Sequence, residues 1–377
     1  MLKIKGGSVS CMNSFDLTYS LADQNFSSTK SIGIFNVSIQ LLENLAKHNS
    51  FKNLTVFTNS TLHNKLRLPS NAVIQCHDEA ISSRFGRILW DQSGVYKAAK
   101  NSGNRWLFLP KGFASFSRPD SLKLAAYVYD AIHDFYRVNY PGIMSWFEYK
   151  YFTQCLKATL KHSRVIFTDS AFAKDELNRL ACKLCIEPPI IITAGIGFTR
   201  AEETRLAKRD VLLFLTSAWP HKLTERGVKY IERWQKENKF SGGVELVGSL
   251  PTGISIPRNA GWRHHPRLSE AAYRQFLAEA KVLVFFSLYE GFGMPPVEAV
   301  IAGTCPIFSD LPVTREVMGG MGFSFSNDSY ESFARSMDKA LSVSETQIQL
   351  WAKQLLERHS WEKVVDKITS GFAQVNN

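Results

Sequence analysis

The chain has no run of about 18 uncharged apolar residues, so no segment of it reads as a helix that crosses a bilayer. Its first residues, Met1-Leu2-Lys3-Ile4-Lys5-Gly6-Gly7-Ser8, lack the apolar centre of a signal peptide, which points to a cytosolic protein. The glycosylation triplets that begin at Asn25, Asn36 and Asn53 have meaning only in a secreted chain. Cysteine is sparse and scattered, at Cys11, Cys76, Cys155, Cys182, Cys185 and Cys305, which is not the framework of a small disulfide-bonded domain. Cys182 and Cys185 make one C-x-x-C, but no second pair or nearby histidine completes a zinc site, so reduced thiols are expected. Internal repeats are absent too. So are basic blocks: the net charge of +11 is spread along the chain. A dispersed excess of this kind favours phosphorylated substrates or an anionic surface as partners, and no nucleic acid is expected.

What is present is ample core. Apolar residues make up 45% and aromatic residues 12% of 377, enough for two folded domains of roughly 150–200 residues each. Residues 1 to 30 read as polar and irregular, and Ser31-Ile32-Gly33-Ile34 opens an amphipathic stretch in which Val37, Ile39, Leu41, Leu42 and Leu45 recur at roughly helical spacing. Strands are expected at Asn53–Asn59, Ala72–Ile74, Arg105–Leu109, Leu124–Asp130, Arg164–Thr168 and Ile190–Ile192, with helices between them. Ser170 suits the cap of a helix that begins at Ala171. Phe198 to Asp210 is charged and poor in apolar residues, and reads as a linker. The alternation then restarts with Val211–Leu215, Val244–Gly248, Val282–Phe286 and Cys305–Phe308 as strands. Strands alternating with helices imply parallel sheets, so the expected class is α/β, with two Rossmann-like β/α/β lobes facing a cleft. The expected divisions are residues 1–200, residues 201–355, and a C-terminal helix, 356–377, packing back on the first lobe.

The chemistry concentrates in Ser287-Leu288-Tyr289-Glu290-Gly291-Phe292-Gly293-Met294-Pro295-Pro296-Val297-Glu298-Ala299. An apolar strand precedes it, two glycines lie in its loop, and a helix is expected from Pro296, since proline suits a first helical position. Such a turn offers backbone N–H groups and a helix dipole to an anion, and two carboxylates to hydroxyls. Phosphate and hydroxyls together suggest a nucleotide sugar. The plain alternative for Glu298 is a first-turn acid that stabilises its own helix.

That stretch, with Ala302-Gly303-Thr304, Ser309-Asp310-Leu311-Pro312-Val313 and Arg315-Glu316-Val317, resembles the signature of retaining family 4 glycosyltransferases, which have the GT-B fold. Val165–Ser170 and Ser360-Trp361-Glu362-Lys363 are weaker echoes. The resemblance implies transfer of a sugar from a nucleoside diphosphate sugar to an acceptor hydroxyl with retention, the leaving phosphate assisting the acceptor's deprotonation. A glycan or lipid-linked acceptor would bind the first lobe and the donor the second. It places Glu290 by the donor sugar, Glu298 on the ribose hydroxyls, and Gly291, Phe292, Gly293 and Met294 around the donor through backbone N–H groups. Lys222, in Ser217-Ala218-Trp219-Pro220-His221-Lys222, takes the place of a diphosphate clamp, with His221 as a candidate helper, but Ser217 stands where the family usually has the clamp's arginine. Gly33 matches a glycine loop that approaches the diphosphate, with Ser31 a simple cap as the alternative. His133 and Asp134 resemble a His-Asp pair facing the donor sugar, with Asp130 a competitor for the aspartate position.

No Asp-x-Asp occurs, so no metal and no cofactor are expected, and charge stabilisation falls to Lys222, the helix dipole and backbone amides. Arg263, His264 and His265 read as loop residues rather than ligands. Arg137, Tyr140, Trp146, Phe147, Tyr149, Lys150, Tyr151 and Phe152 form an aromatic and basic cluster. It reads as core with a snorkelling rim, and a face of this type also suits peripheral attachment to a membrane. The alternatives to a transferase are a nucleotide-sugar epimerase of the same fold and a non-catalytic basic protein that binds nucleic acid or membranes.

Overall fold

A computed structural model describes residues 14–25, 32–116, 122–200, 206–257 and 261–376. Met1 to Ser8, Cys11, the Phe26-Ser27 part of one triplet and Ser31, the alternative cap, lie outside the described residues.

Two parallel sheets carry the chain. The first contains β1 (Asp16–Ser20), β2 (Asn53–Thr58), β3 (Val73–Cys76), β4 (Trp106–Leu109), β5 (Lys123–Val128), β6 (Ser163–Thr168) and β7 (Ile190–Thr193), in the order β3-β2-β1-β4-β5-β6-β7. The second contains β8 (Val211–Thr216), β9 (Gly243–Gly248), β10 (Trp262–His265), β11 (Val282–Phe285), β12 (Cys305–Ser309) and β13 (Phe323–Phe325), in the order β10-β9-β8-β11-β12-β13. Every strand pair described is parallel, and helices lie between most successive strands.

β1 corrects the reading of residues 1 to 30 as irregular. It is a central strand of lobe one, with Leu17 and Tyr19 fully buried. Thr18 and Ser20 disguise it, because they are polar yet buried. Thr18 is satisfied by the Ser102 hydroxyl at 2.9 Å and the Asn104 amide at 3.1 Å, which removes the usual cost of burying it. β10 is a second correction. Arg263, His264 and His265 lie in that strand and serve structure: His265 Nε2 meets the buried Glu245 at 2.8 Å, and His264 Nε2 meets the Gly248 carbonyl at 2.7 Å.

The last helix, Trp361–Gln374, crosses back onto lobe one. Phe372 fits among Phe15, Phe51, Trp106, Phe108 and Phe167, with ring centroids 4.7 to 6.2 Å away. Phe198, expected in the linker, is tied down: its N–H donates to the His359 carbonyl at 2.8 Å. Ser170 caps the helix Ala171–Lys183 by accepting from the Ala173 N–H at 3.0 Å.

Candidate functional site

Each sheet reverses its strand order once, between β1 and β4 in lobe one and between β8 and β11 in lobe two. Open parallel sheets take ligands outside the carboxyl ends of the strands at such points. In lobe two the chain leaving β8 carries Ser217 to Lys222, and the chain leaving β11 carries Ser287 to Gly293. The reversal therefore brings Lys222 to Glu290, Nζ to Oε1 at 2.5 Å. The ammonium also lies 4.8 Å from the centre of the Phe285 ring. A further bond joins the two loops, from the Leu288 N–H to the His221 carbonyl at 2.7 Å.

Ser217 supplies no charge here. Its hydroxyl accepts from the Trp219 N–H at 3.2 Å and its own N–H donates to Thr224 Oγ1 at 3.0 Å, so it shapes the turn that presents Lys222.

The glycine loop is pressed against lobe one. A Cβ on Gly291 would lie 2.2 Å from the Tyr129 carbonyl oxygen, a backbone atom that cannot step aside, so only glycine fits. Gly293, at φ 82°, turns the chain into the helix Met294–Ile301, which begins two residues before the expected Pro296. The N–H groups of Gly291, Phe292 and Gly293 donate to no protein acceptor among the described residues. They precede a helix N-terminus, where an anion is stabilised. The Phe292 ring is buried against Phe198 and His359, so its contribution to the cleft is its backbone.

Glu298 lies beyond the first turn of that helix, which holds no acid, so it does not serve the dipole. Its Oε2 accepts from the Tyr273 hydroxyl at 2.8 Å, and Oε1 has no protein donor among the described residues. Burial raises its pKa, opposed by the Tyr273 hydrogen bond. Gly33 is not in a loop but in the first turn of the helix Ile32–Leu45. A Cβ there would come within 2.7 Å of the Met294 methyl, so Gly33 allows close approach of the lobes.

On the lobe-one side the structure separates the two aspartates. β5 ends at Val128, so Asp130 emerges toward the cleft, its Oδ1 held by the Ile132 N–H at 3.0 Å. Burial pushes its carboxyl up to about 6, Glu290 adds to the rise, and the Ile132 bond and Lys222 oppose it. His133 and Asp134 stand on the helix Ile132–Asn139, which turns Asp134 away to pair with Lys183 and Arg137, each at 3.2 Å. Of the two expected residues, Asp134 is thus outside the cleft cluster. His133 stacks on Phe152 at 4.4 Å and meets the edge of Phe113 at 6.0 Å, and burial lowers its pKa to about 4, so the ring is neutral.

The same helix clasps lobe two through residues the sequence reading missed. The Tyr136 hydroxyl meets His221 Nδ1 at 2.5 Å, and its ring stacks on Trp219 at 5.2 Å. Phe135 stacks on Tyr289 at 4.7 Å, and the Ala131 N–H donates to the Tyr289 hydroxyl at 3.1 Å. Glu316 reaches from lobe two to accept from the N–H groups of Ala171 and Phe172 at 2.7 and 3.1 Å. The only sequence signal for the clasp was the closeness of Trp219 and Tyr289 to motif residues.

Lobe one has its own charged cluster at its reversal point. Lys111 pairs with Asp23 and lies 5.2 Å from the Phe35 ring, while Arg87 stands 3.9 Å from both Asp23 and Asp91. A small cavity of about 20 Å³ lies there, lined by Trp90 and by Phe113, the ring that touches His133.

Residues 259–353 match the family model described as Glycosyl transferases group 1. The match covers the part of lobe two that runs from β10 onward. Among curated proteins the chain is similar to the O-antigen chain mannosyltransferase RfbU of Salmonella typhimurium, 26% identical over 196 residues, which is 50% of this chain and 53% of that one. It is also similar to the serotype-specific mannosyltransferase WbdA of Escherichia coli, 32% identical over 97 residues, 25% of this chain and 12% of WbdA. The chain thus spans about half or less of the length of these relatives. Two solved structures share the whole two-lobe arrangement. Anabaena HepE in complex with UDP and glucose gives a TM-score of 0.65 at 11% identity, covering 96% of this chain and 100% of that one. Sucrose-phosphate synthase of Thermosynechococcus elongatus gives 0.65 at 13%, covering 96% and 98%. The chain therefore has the two-lobe GT-B fold.

Proposed function

We propose that the protein is a retaining glycosyltransferase of family 4 type, which moves a mannosyl or related sugar from a nucleoside diphosphate sugar to a hydroxyl of a glycan acceptor. The observation that carries this is the convergence, at the lobe-two reversal point, of Lys222, Glu290, Glu298 and three unengaged backbone N–H groups. In this reading the donor diphosphate displaces Glu290 from Lys222 and takes the N–H groups of Gly291 to Gly293. Glu298 accepts from the ribose hydroxyls through its open oxygen, with Tyr273 fixing its rotamer. Glu290, released, and Asp130 receive hydroxyls of the sugar. The leaving phosphate takes the acceptor proton on the same face, so no carboxylate nucleophile is needed. Charge stabilisation comes from Lys222, the amides and the helix dipole, with no metal. The mannosyl assignment rests on the names of RfbU and WbdA.

The acceptor occupies lobe one, beside His133 and the Lys111–Asp23 pair. Of the aromatic cluster, Phe152 is engaged in the His133 slot, but Trp146 and Phe147 are 62% and 77% exposed. Val138 and Ile143 are exposed beside them in sequence, and Lys150 lies 4.5 Å from the Trp146 ring. Exposed aromatics with a cation suit an interfacial surface, and a lipid-linked acceptor would be met there. No helix among the described residues is long and apolar enough to cross a membrane.

The test is product analysis with a panel of nucleoside diphosphate sugars and neutral glycan acceptors. The expected product keeps the donor's anomeric configuration by NMR. An inverted product overturns retention, and an epimerised donor without transfer overturns the transferase reading.

A further inference from the structure

A groove of about 560 Å³ opens at the carboxyl end of β3, the edge strand of lobe one, against the helical run from Arg84 to Asn101. Within that run Trp90–Gly94 is a π-helix, a wider turn that recurs beside functional sites. Trp90 lines this groove on one side and the cavity at the lobe-one reversal point on the other, so the indole is the wall between them.

The groove's chemistry is unlike the rest of the surface. On a chain of net charge +11, no lysine or arginine is among the residues that line it. What lines it instead are the Glu79 carboxylate, which pairs with His77, and neutral groups with open hydrogen-bonding capacity. The Gln75 and Asn101 amides make no bond to protein among the described residues. His77 Nδ1 donates to the Glu79 carboxylate at 2.9 Å, which fixes the ring's orientation. Nε2 is shielded from solvent and has no hydrogen-bond partner among the described residues. Leu89, half exposed, gives the rim an apolar strip. The volume is that of a small-ligand site, and the mixture of planar amides, an imidazole, a carboxylate and apolar surface is that of a site for polyols.

We propose that this groove binds a neutral oligosaccharide, the distal sugars of a long acceptor glycan whose growing end reaches past Trp90 to the cavity beside Phe113 and His133. The inference rests on the glycan-acceptor reading above. The amides take vicinal hydroxyls in pairs, and the Leu89 strip takes the apolar faces of the rings. The absence of a cation disfavours phosphate, nucleic acid and anionic lipid, each of which needs one.

The full chain is titrated calorimetrically with a hexose and with a linear neutral hexasaccharide, without donor. The wild type is expected to bind the hexasaccharide at least about tenfold more tightly than the hexose. Ser93→Trp, at an exposed helical position in the groove, and Gln75→Ala, which leaves the backbone unchanged, are each expected to abolish that preference. Donor hydrolysis and transfer to a short acceptor should stay unchanged in Ser93→Trp. Equal hexasaccharide affinity in wild type and both variants, or none in the wild type, overturns the groove assignment. Loss of binding to anionic vesicles in Ser93→Trp, with sugar binding unaltered, overturns it in favour of a lipid surface. Absence of donor turnover in the wild type counts against the transferase reading alone, because the sugar titration does not use the donor.

Discussion

Lys222 Nζ lies 2.5 Å from Glu290 Oε1, so the cation that a diphosphate needs is held by a carboxylate from the neighbouring loop. The pair is only 23% and 13% exposed, which strengthens the attraction over that of a surface pair. A donor has to part it, and the two variants should differ. Lys222→Ala is expected to slow turnover by about 10²-fold or more. Glu290→Gln frees the ammonium, so donor affinity should hold or rise while kcat falls. Steady-state kinetics with a turned-over donor check both, and wild-type kcat in either variant removes that residue from the site.

Glu298 has one oxygen on Tyr273 and one open. Hydrogen bonds to a charged group contribute about 1.5–3 kcal/mol, so Glu298→Gln should weaken donor binding roughly 10- to 100-fold. Tyr273→Phe should cost less, since it frees the carboxylate's rotamer without removing its charge. Donor titration by calorimetry reads both; an unchanged constant in Glu298→Gln contradicts the ribose assignment.

Asp130 has a folded pKa of about 6 against an ordinary 3.8. The folded state holds the proton longer than the unfolded state, so this group's contribution to stability falls as pH rises from about 4 to 6 and is constant above. Asp130→Asn keeps the acceptor for the Ile132 N–H and does not titrate. The melting temperature of Asp130→Asn minus that of the wild type should therefore grow between pH 4 and 6, then level off. A flat difference contradicts the burial of a carboxyl at this position.

Gly291→Ala places a methyl 2.2 Å from the Tyr129 carbonyl oxygen, at the contact between lobes rather than within one. The lobes are expected to stay folded but apart. Turnover should be lost and the radius of gyration by X-ray scattering should rise, with circular dichroism unchanged. Wild-type turnover would show that the contact is dispensable.

The loop and helix proposed for the donor were legible because they are local. Glu290, the glycines and Glu298 follow one strand within one short stretch, and the strand–loop–helix pattern places them without knowledge of the rest. Lys222 followed from its position after β8. The lobe-one side was not legible in the same way. That Asp130 faces the cleft and Asp134 turns away depends on where β5 ends and which way the next helix runs, and both aspartates sit downstream of the same strand. β1 was hidden because Thr18 and Ser20 look like surface residues until their buried partners are seen. The Tyr136–His221 contact joins residues 85 positions apart, and an aromatic in a helix gives no sign of such a partner.

The most direct measurement is the thermal shift produced by a panel of nucleoside diphosphate sugars on the wild type and on Glu298→Gln. A ligand that binds only the folded state raises the melting temperature by mass action. The site described here expects at least one donor to stabilise the wild type and to stabilise Glu298→Gln markedly less. No shift with any donor, or equal shifts in both proteins, would contradict a nucleotide-sugar site built on Glu298.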